Sequence, residues 1–233
     1  TVLVDNTFLS PALQNPLALG ADLVLHSTTK SINGHSDVVG GALVAKRAED
    51  AERVAWWANC LGLAQAPFDT YLILRGLRTL HARWALHEAN ARVLADRLAQ
   101  HPAVSQVWYP GLADHPGHAL ACRQQRGFGS IISLEVVGGI HGARALVERL
   151  ELFTLAESLG GVESLVAHPA TMTHAAMDPA ARAKAGITDG LLRLSVGIEA
   201  LEDLARDLEG GLACVERVPC SARAVDPRRA PEA

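Results

Sequence analysis

Aromatic side chains are scarce, at 4% of 233 residues, and no apolar run approaches the roughly 20 residues that a membrane-spanning helix needs. No membrane partner is therefore expected. A surplus of one charge sign is missing as well. The 21 Lys and Arg against 25 Asp and Glu leave a net charge of -4, which argues against nucleic acid as a partner. Cysteine is limited to Cys60, Cys122, Cys214 and Cys220, with no C-x-x-C pair. They read as free thiols of a reducing, cytoplasmic compartment rather than as a zinc site. The ten histidines contain no H-x-x-x-H pair beside a carboxylate, so they read as scattered hydrogen-bonding residues and no metal is expected. Internal repeats are absent. What is present is a chain 49% hydrophobic and 20% charged, able to bury a substantial core and long enough for about two domains.

Short strands and helices alternate along it. Val2-Leu3-Val4 reads as a buried strand that delivers Asp5 and Asn6 at its carboxyl end. Pro11 to Leu19 reads as a short helix closed by Gly20. Leu23-Val24-Leu25 reads as a second buried strand, ending at His26, after which Ser27, Thr28 and Thr29 lead to a lone Lys30. Asn33-Gly34-His35-Ser36-Asp37 is turn chemistry, and Gly40 to Ala45 a further strand. Helices are predicted over 48–58 and from Phe68 towards Gln100, the latter bent or broken near Gly76, with Leu77, Leu80, Trp84 and Leu98 on buried faces. Further on, 104–109, 131–137, 153–155 and 191–196 read as extended, and 142–150, 179–185 and 201–212 as helical. Asp178, Pro179 and Gly186 stand in the order of an N-cap, a first-turn residue and a C-terminal stop. The pattern is α/β, with part of its sheet parallel.

Asp5 and Lys30 both follow strand ends, where open α/β sheets bind ligands. Taken alone, a lysine after a strand is usually a surface residue. With two hydroxyls just before it, an acid at a neighbouring strand end and an arginine at position 193, it suits a phosphate-bearing aldehyde cofactor held as a Schiff base. Arg193 offers a planar fork for an amino-acid carboxylate. By pattern alone it reads equally as a strand arginine paired with a structural carboxylate.

The stretches Val4-Asp5-Asn6-Thr7-Phe8, His26-Ser27-Thr28-Thr29-Lys30 and Asn33-Gly34-His35-Ser36-Asp37 resemble the Cys/Met-metabolism family of pyridoxal-phosphate enzymes. So do Leu74 to Leu80, Glu157 to Ser164 and Leu192 to Glu199, in order, from Thr1 to about Leu212. Within the family, Asn6 to Gln14 and Ala55-Trp56-Trp57-Ala58-Asn59 are most similar to the bacterial branch that makes cystathionine. The resemblance implies the fold type I PLP-transferase architecture, like that of aspartate aminotransferase. Residues 1–88 would belong to the cofactor-binding domain and connector, 89–214 to a small α/β domain, and 215–233 to a disordered tail. It implies pyridoxal 5'-phosphate as cofactor, Lys30 as its attachment point and proton carrier, and Asp5 as partner of the pyridine nitrogen. Ser27 and Thr29 would hold the phosphate, and Arg193 the substrate carboxylate with Ser158 nearby. Ser158 reads equally as a loop hydroxyl that satisfies the Gly160-Gly161 turn. Asn6 would orient ring or substrate, while His35 and Asp37 read as turn residues.

The implied reaction is replacement at the γ-carbon of an activated homoserine, O-succinylhomoserine, by the sulfur of cysteine. A sulfhydrylase or a γ-lyase of the same family are the alternatives. The implied partners are small amino-acid substrates and further copies of the chain, as a homotetramer. The opening at Thr1, directly on a strand pattern, leads to the expectation of a further N-terminal portion. A catalytically incomplete remnant that only associates is the corresponding alternative.

Overall fold

The computed structural model describes residues 1–216. The expected tail of 215–233 begins too early, because the last helix runs to Glu216; the rest of it, with Cys220, lies outside the described residues.

Two sheets organise the chain. The first has the order β1-β2-β3, from β1 (Leu3–Asp5), β2 (Leu23–Ser27) and β3 (Gly41–Ala45). β1 runs parallel to β2 with Asp5 opposite Leu25, and β3 is antiparallel to β2. β1 is an edge strand with Leu3 exposed, contrary to the buried strand its apolar run predicts. The reason is topological: among the described residues β1 has a strand neighbour on one side only. Between β1 and β2, α1 (Ser10–Leu13) is shorter than the predicted helix. Pro16 cannot donate to a helical ladder and disfavours helical geometry at the residue before it, so the chain continues in turns.

The second sheet has the order β4-β5-β8-β7-β6. Its strands are β4 (Val104–Trp108), β5 (Ile131–Val136), β6 (Thr154–Leu155), β7 (Leu165–Ala167) and β8 (Leu191–Ser195). Alternation decides which face is inside. Ile132 and Leu134 of β5 pair with Leu194 and Leu192 of β8, and all four are fully buried. The helices α2 (Ala48–Cys60), α3 (Pro67–Leu77), α4 (Leu80–Ala99), α5 (His118–Gln124), α6 (Gly139–Val147), α7 (Pro179–Lys184) and α8 (Leu201–Glu216) complete the fold. α4 buries Leu80, Trp84, Ala91, Leu94 and Leu98 at helical spacing, and so serves both cores. Its first turn packs on Ala12 and Leu13, and its later turns join the core of the second sheet. Asp178 caps α7 by accepting from the Ala180 N–H at 3.2 Å.

The predicted break near Gly76 is present, between α3 and α4, while Leu77 beside it is exposed rather than buried. Gly76 has a tertiary reason to be glycine. A β-carbon there would overlap the Asn33 carbonyl oxygen, just past Lys30. In an ordinary helix Gly→Ala stabilises by about 1 kcal/mol. Gly76→Ala should instead destabilise, by about 1–3 kcal/mol as for other overpacked contacts. Urea denaturation compares it with Gly210→Ala, where a β-carbon meets open space and the ordinary helical gain is expected.

Candidate active site

The segment after β2 forms one wide helical turn, Thr28–Ile32, in which the Asn33 N–H donates to the Thr28 carbonyl at 3.0 Å. Lys30 lies inside this turn but leaves helical geometry, with φ -86° and ψ -137°. Its ammonium donates to Ser158 Oγ at 3.1 Å across 128 residues of sequence. The carbonyl of the same Ser158 accepts from Arg193 Nη2 at 3.0 Å. Lys30, Ser158 and Arg193, picked from three separate stretches of sequence, thus meet at one place.

A glycine-dependent contact and a backbone hydrogen bond support this meeting. Gly160 has φ +74°, and a β-carbon there would crowd the backbone nitrogen of Ser31. Its N–H donates to Ser195 Oγ at 2.8 Å, which seats the Ser158–Gly160 loop between β8 and the lysine turn. The Val162 N–H donates to the Gly34 carbonyl at 2.9 Å and ties the same loop to the turn a second time. Behind it, Glu199 accepts from the Ser164 N–H at 2.7 Å and from its hydroxyl at 2.9 Å.

Burial pushes the Lys30 ammonium below the ordinary lysine value, and the nearby Arg193 guanidinium pushes it the same way. A larger share of the amine is then neutral and nucleophilic at a given pH. Arg193 is itself lowered by burial, with Glu157 acting in the opposite direction. Arg193 forms no ion pair within 4 Å among the described residues, and its buried Nε–H has no protein partner there. The pairing with a structural carboxylate that its strand position allowed is not made.

Asp5 stands exposed at the carboxyl end of β1. Its Oδ1 accepts from the Thr7 N–H at 2.9 Å and the Thr7 hydroxyl at 2.6 Å, which leaves Oδ2 without a bond among the described residues. Thr7 Oγ1 in turn accepts from the Ser27 N–H at 2.8 Å, so a single threonine locks the ends of β1 and β2 together. Thr7 was not singled out by sequence reasoning, although it lies in the motif that contains Asp5. The Ser27 hydroxyl makes no hydrogen bond among the described residues.

Other candidates are engaged elsewhere. The Thr29 hydroxyl donates to the Gly40 carbonyl at 3.2 Å and accepts from the Gly40 N–H at 2.9 Å. Asn6 is buried, and its amide donates to the carbonyls of Ser10 and Gln14, both at 3.0 Å, which fastens α1. His35 Nδ1 contacts the Asn33 carbonyl at 2.7 Å, and Asp37 accepts from the Asn33 amide at 2.7 Å, so both hold the turn. A cavity of about 460 Å³ lies between Thr29 and Ser158, with Val38, Val39, Ala156 and Leu165 in its walls.

The profile of the Cys/Met metabolism PLP-dependent enzymes matches residues 1–213. The chain belongs to this family. Its cofactor is pyridoxal phosphate. Among curated relatives, cystathionine gamma-synthase of Escherichia coli (strain K12) is 55% identical over 209 residues, which are 90% of this chain and 54% of the relative. Cystathionine gamma-lyase of Dictyostelium discoideum is 50% identical over 212 residues, 91% of this chain and 55% of the relative. A crystal structure of cystathionine gamma synthase from Xanthomonas oryzae pv. oryzae, in complex with aminoacrylate and cysteine, is 65% identical with a TM-score of 0.90. It covers 92% of this chain and 55% of that one. The chain thus has the α/β fold of the family's synthases and lyases and spans about half the length of the curated relatives it matches.

The residues fit the family's cofactor. A half-buried amine of lowered basicity, a carboxylate oxygen free at a strand end, a free hydroxyl at Ser27 and an orphaned guanidinium N–H form a donor and acceptor set suited to an aldehyde, a pyridine nitrogen and anions. Replacing Arg193 by Gln should raise the Lys30 pKa towards, but not to, the ordinary value. Removing the guanidinium charge takes away the second cause of the shift and leaves burial in place. The pH dependence of Lys30 acetylation, read by mass spectrometry, checks the sign.

Proposed function

We propose that this chain carries the lysine-bearing part of an enzyme that replaces the γ-substituent of an activated homoserine, with O-succinylhomoserine as donor and cysteine as acceptor. The observation that carries the reading is the junction at Ser158, which sets the Lys30 amine and the Arg193 fork on one residue. The similarity to synthases at 55% and 65% identity supports the γ-replacement branch.

Pyridoxal phosphate, when bound, supplies an electron sink for the pair left behind when a carbon loses its proton. The chain's residues supply the rest. Lys30 Nζ, its basicity lowered by burial and by Arg193, can accept a proton and return it. Ser158 Oγ steers that amine. Asp5 Oδ2 offers a carboxylate to keep a pyridine nitrogen protonated, with its orientation fixed through Thr7. The Arg193 fork suits a substrate carboxylate better than an ammonium would, because two parallel N–H donors match two oxygens. Ser27, with its hydroxyl free, is the better placed of the two proposed phosphate contacts, and Thr29 orders the strand end instead.

The domain division at 88/89 goes with this reading: the first part carries Lys30 and Asp5, and the second carries Ser158 and Arg193, which meet Lys30. We also read the exposed apolar side chains of α2 and α3, Trp56, Trp57, Phe68, Tyr71 and Leu74, as surface covered in a homotetramer.

Incubation of the whole protein with O-succinylhomoserine and either cysteine or sulfide, with cystathionine and succinate measured, tests the reading. Cystathionine formed with release of succinate is expected. Breakdown of cystathionine without synthesis would favour the lyase reading instead. Borohydride reduction of the loaded protein should fix the cofactor on Lys30, and Lys30→Ala should abolish fixation; label on Lys46 or Lys184 would overturn the assignment. Asp5→Asn should preserve the fold, judged by an unchanged melting temperature, and lower turnover about a hundredfold or more.

A further inference from the structure

Arg83, on the first turns of α4, is a buried cation with no carboxylate within 4 Å among the described residues. Its Nη1 donates to the Ser31 carbonyl at 2.8 Å. Nη2 donates to the Gly76 carbonyl at 2.9 Å and the Ile32 carbonyl at 3.2 Å, and Nε donates to Thr79 Oγ1 at 3.1 Å. Burying a guanidinium costs several kcal/mol when no anion compensates it. What this one does in return is bond three backbone carbonyls, one of which, at Gly76, the Thr79 N–H also reaches at 3.1 Å. Two of them belong to Ser31 and Ile32, the residues that directly follow Lys30, where the turn departs from helical geometry. Gly34 completes the fit, because a β-carbon there would overlap Arg83 Nη1.

We propose that Arg83 is a positioning residue for Lys30: its fork fixes the backbone beyond the lysine so that Nζ is held at Ser158 beside Arg193. The inference rests on the reading of Lys30 as the cofactor-bearing lysine. Arg83 acts through geometry. The charge that shifts the Lys30 amine is that of Arg193 from β8, and Arg83 is not among the causes. If the backbone loosens, the amine moves towards water and away from Arg193, and its basicity rises. An ammonium at position 83 keeps the charge but has no planar fork with which to span three carbonyls.

Competitive acetylation of the full chain without cofactor, followed by mass spectrometry across a pH series, reads Lys30 directly. Lys46 and Lys184 serve as internal references. In Arg83→Lys, Lys30 should be acetylated about twofold or more slowly at a fixed mildly alkaline pH, with the two references unchanged. Thr79→Val, which removes the acceptor of Nε–H together with the hydroxyl's own bond to the Gly76 carbonyl, should give a smaller change of the same sign and stands in if Arg83→Lys does not fold. Leu146→Ala, in the core of the second sheet, should lower the melting temperature and leave Lys30 reactivity as it was. A folded Arg83→Lys, or Thr79→Val in its place, with wild-type Lys30 reactivity would overturn the proposal. So would an equal slowing in Leu146→Ala. Borohydride fixation of the cofactor on another lysine in the wild type would instead remove the reading beneath it, a result separate from both.

Discussion

The hydrogen bond between Lys30 and Ser158 is the contact on which the site depends, because its two ends belong to different sheets. Lys30 follows β2 of the first sheet, and the Ser158 loop crosses the end of the second. Such a junction holds only if the backbones approach closely. Gly160 against Ser31 and Gly76 against Asn33 supply that approach at the lysine turn. Arg83 ties the turn to the end of α3, and the Val162 N–H ties it to the loop. The lysine turn is thus held by contacts from the Ser158 loop, from α3 and from Arg83 of α4, which restrict where its amine can sit.

The parts of this arrangement that were legible in the sequence share a cause: each carries its signal locally. Alternation in β5, the cap at Asp178 and the strand-end placement of Asp5 and Lys30 depend on a handful of neighbours. Lys30, Asp5 and Arg193 stand out in the sequence because few side chains offer an amine or a carboxylate at a strand end or a planar fork within a strand, and the fold sets Lys30 and Arg193 on the same Ser158. Features that depend on distant partners were not legible. Arg83 sits among apolar helix residues, and only the folded chain shows which carbonyls it serves. The Thr29 hydroxyl bonds both the N–H and the carbonyl of Gly40, just before β3, and local pattern gives no sign of that partner. Asn6 was likewise claimed by α1, whose shortness followed from Pro16. The burial of β1 was misjudged because an apolar run states that a strand can be covered, not that it is.

The two halves of the chain differ in how completely they bury themselves. The second sheet, with α4, α6 and α8, encloses a continuous core in which Leu134, Leu146, Leu194 and Leu204 have no exposed surface. Around the first sheet, α2 buries none of its residues and α3 only Gly76. At about 25 cal/mol per Å² of apolar surface, covering several aromatic side chains is worth kilocalories. The part around the second sheet therefore buries more apolar surface than the part around the first, which carries Lys30.

Electrostatics couples these observations. Lys30 and Arg193 are cations placed close together and partly withdrawn from water, an arrangement that disfavours both charges at once. Folding accepts this cost by two routes: the lysine can shed its proton, and the arginine finds a backbone carbonyl at Ser158. Neither route fully satisfies the pair, since Arg193 Nε remains without a protein partner among the described residues. An anion bound at this place would supply what is lacking, because it would engage the guanidinium and relieve the repulsion felt by the amine. Its arrival would then raise the basicity of Lys30 from the lowered state that burial and Arg193 impose.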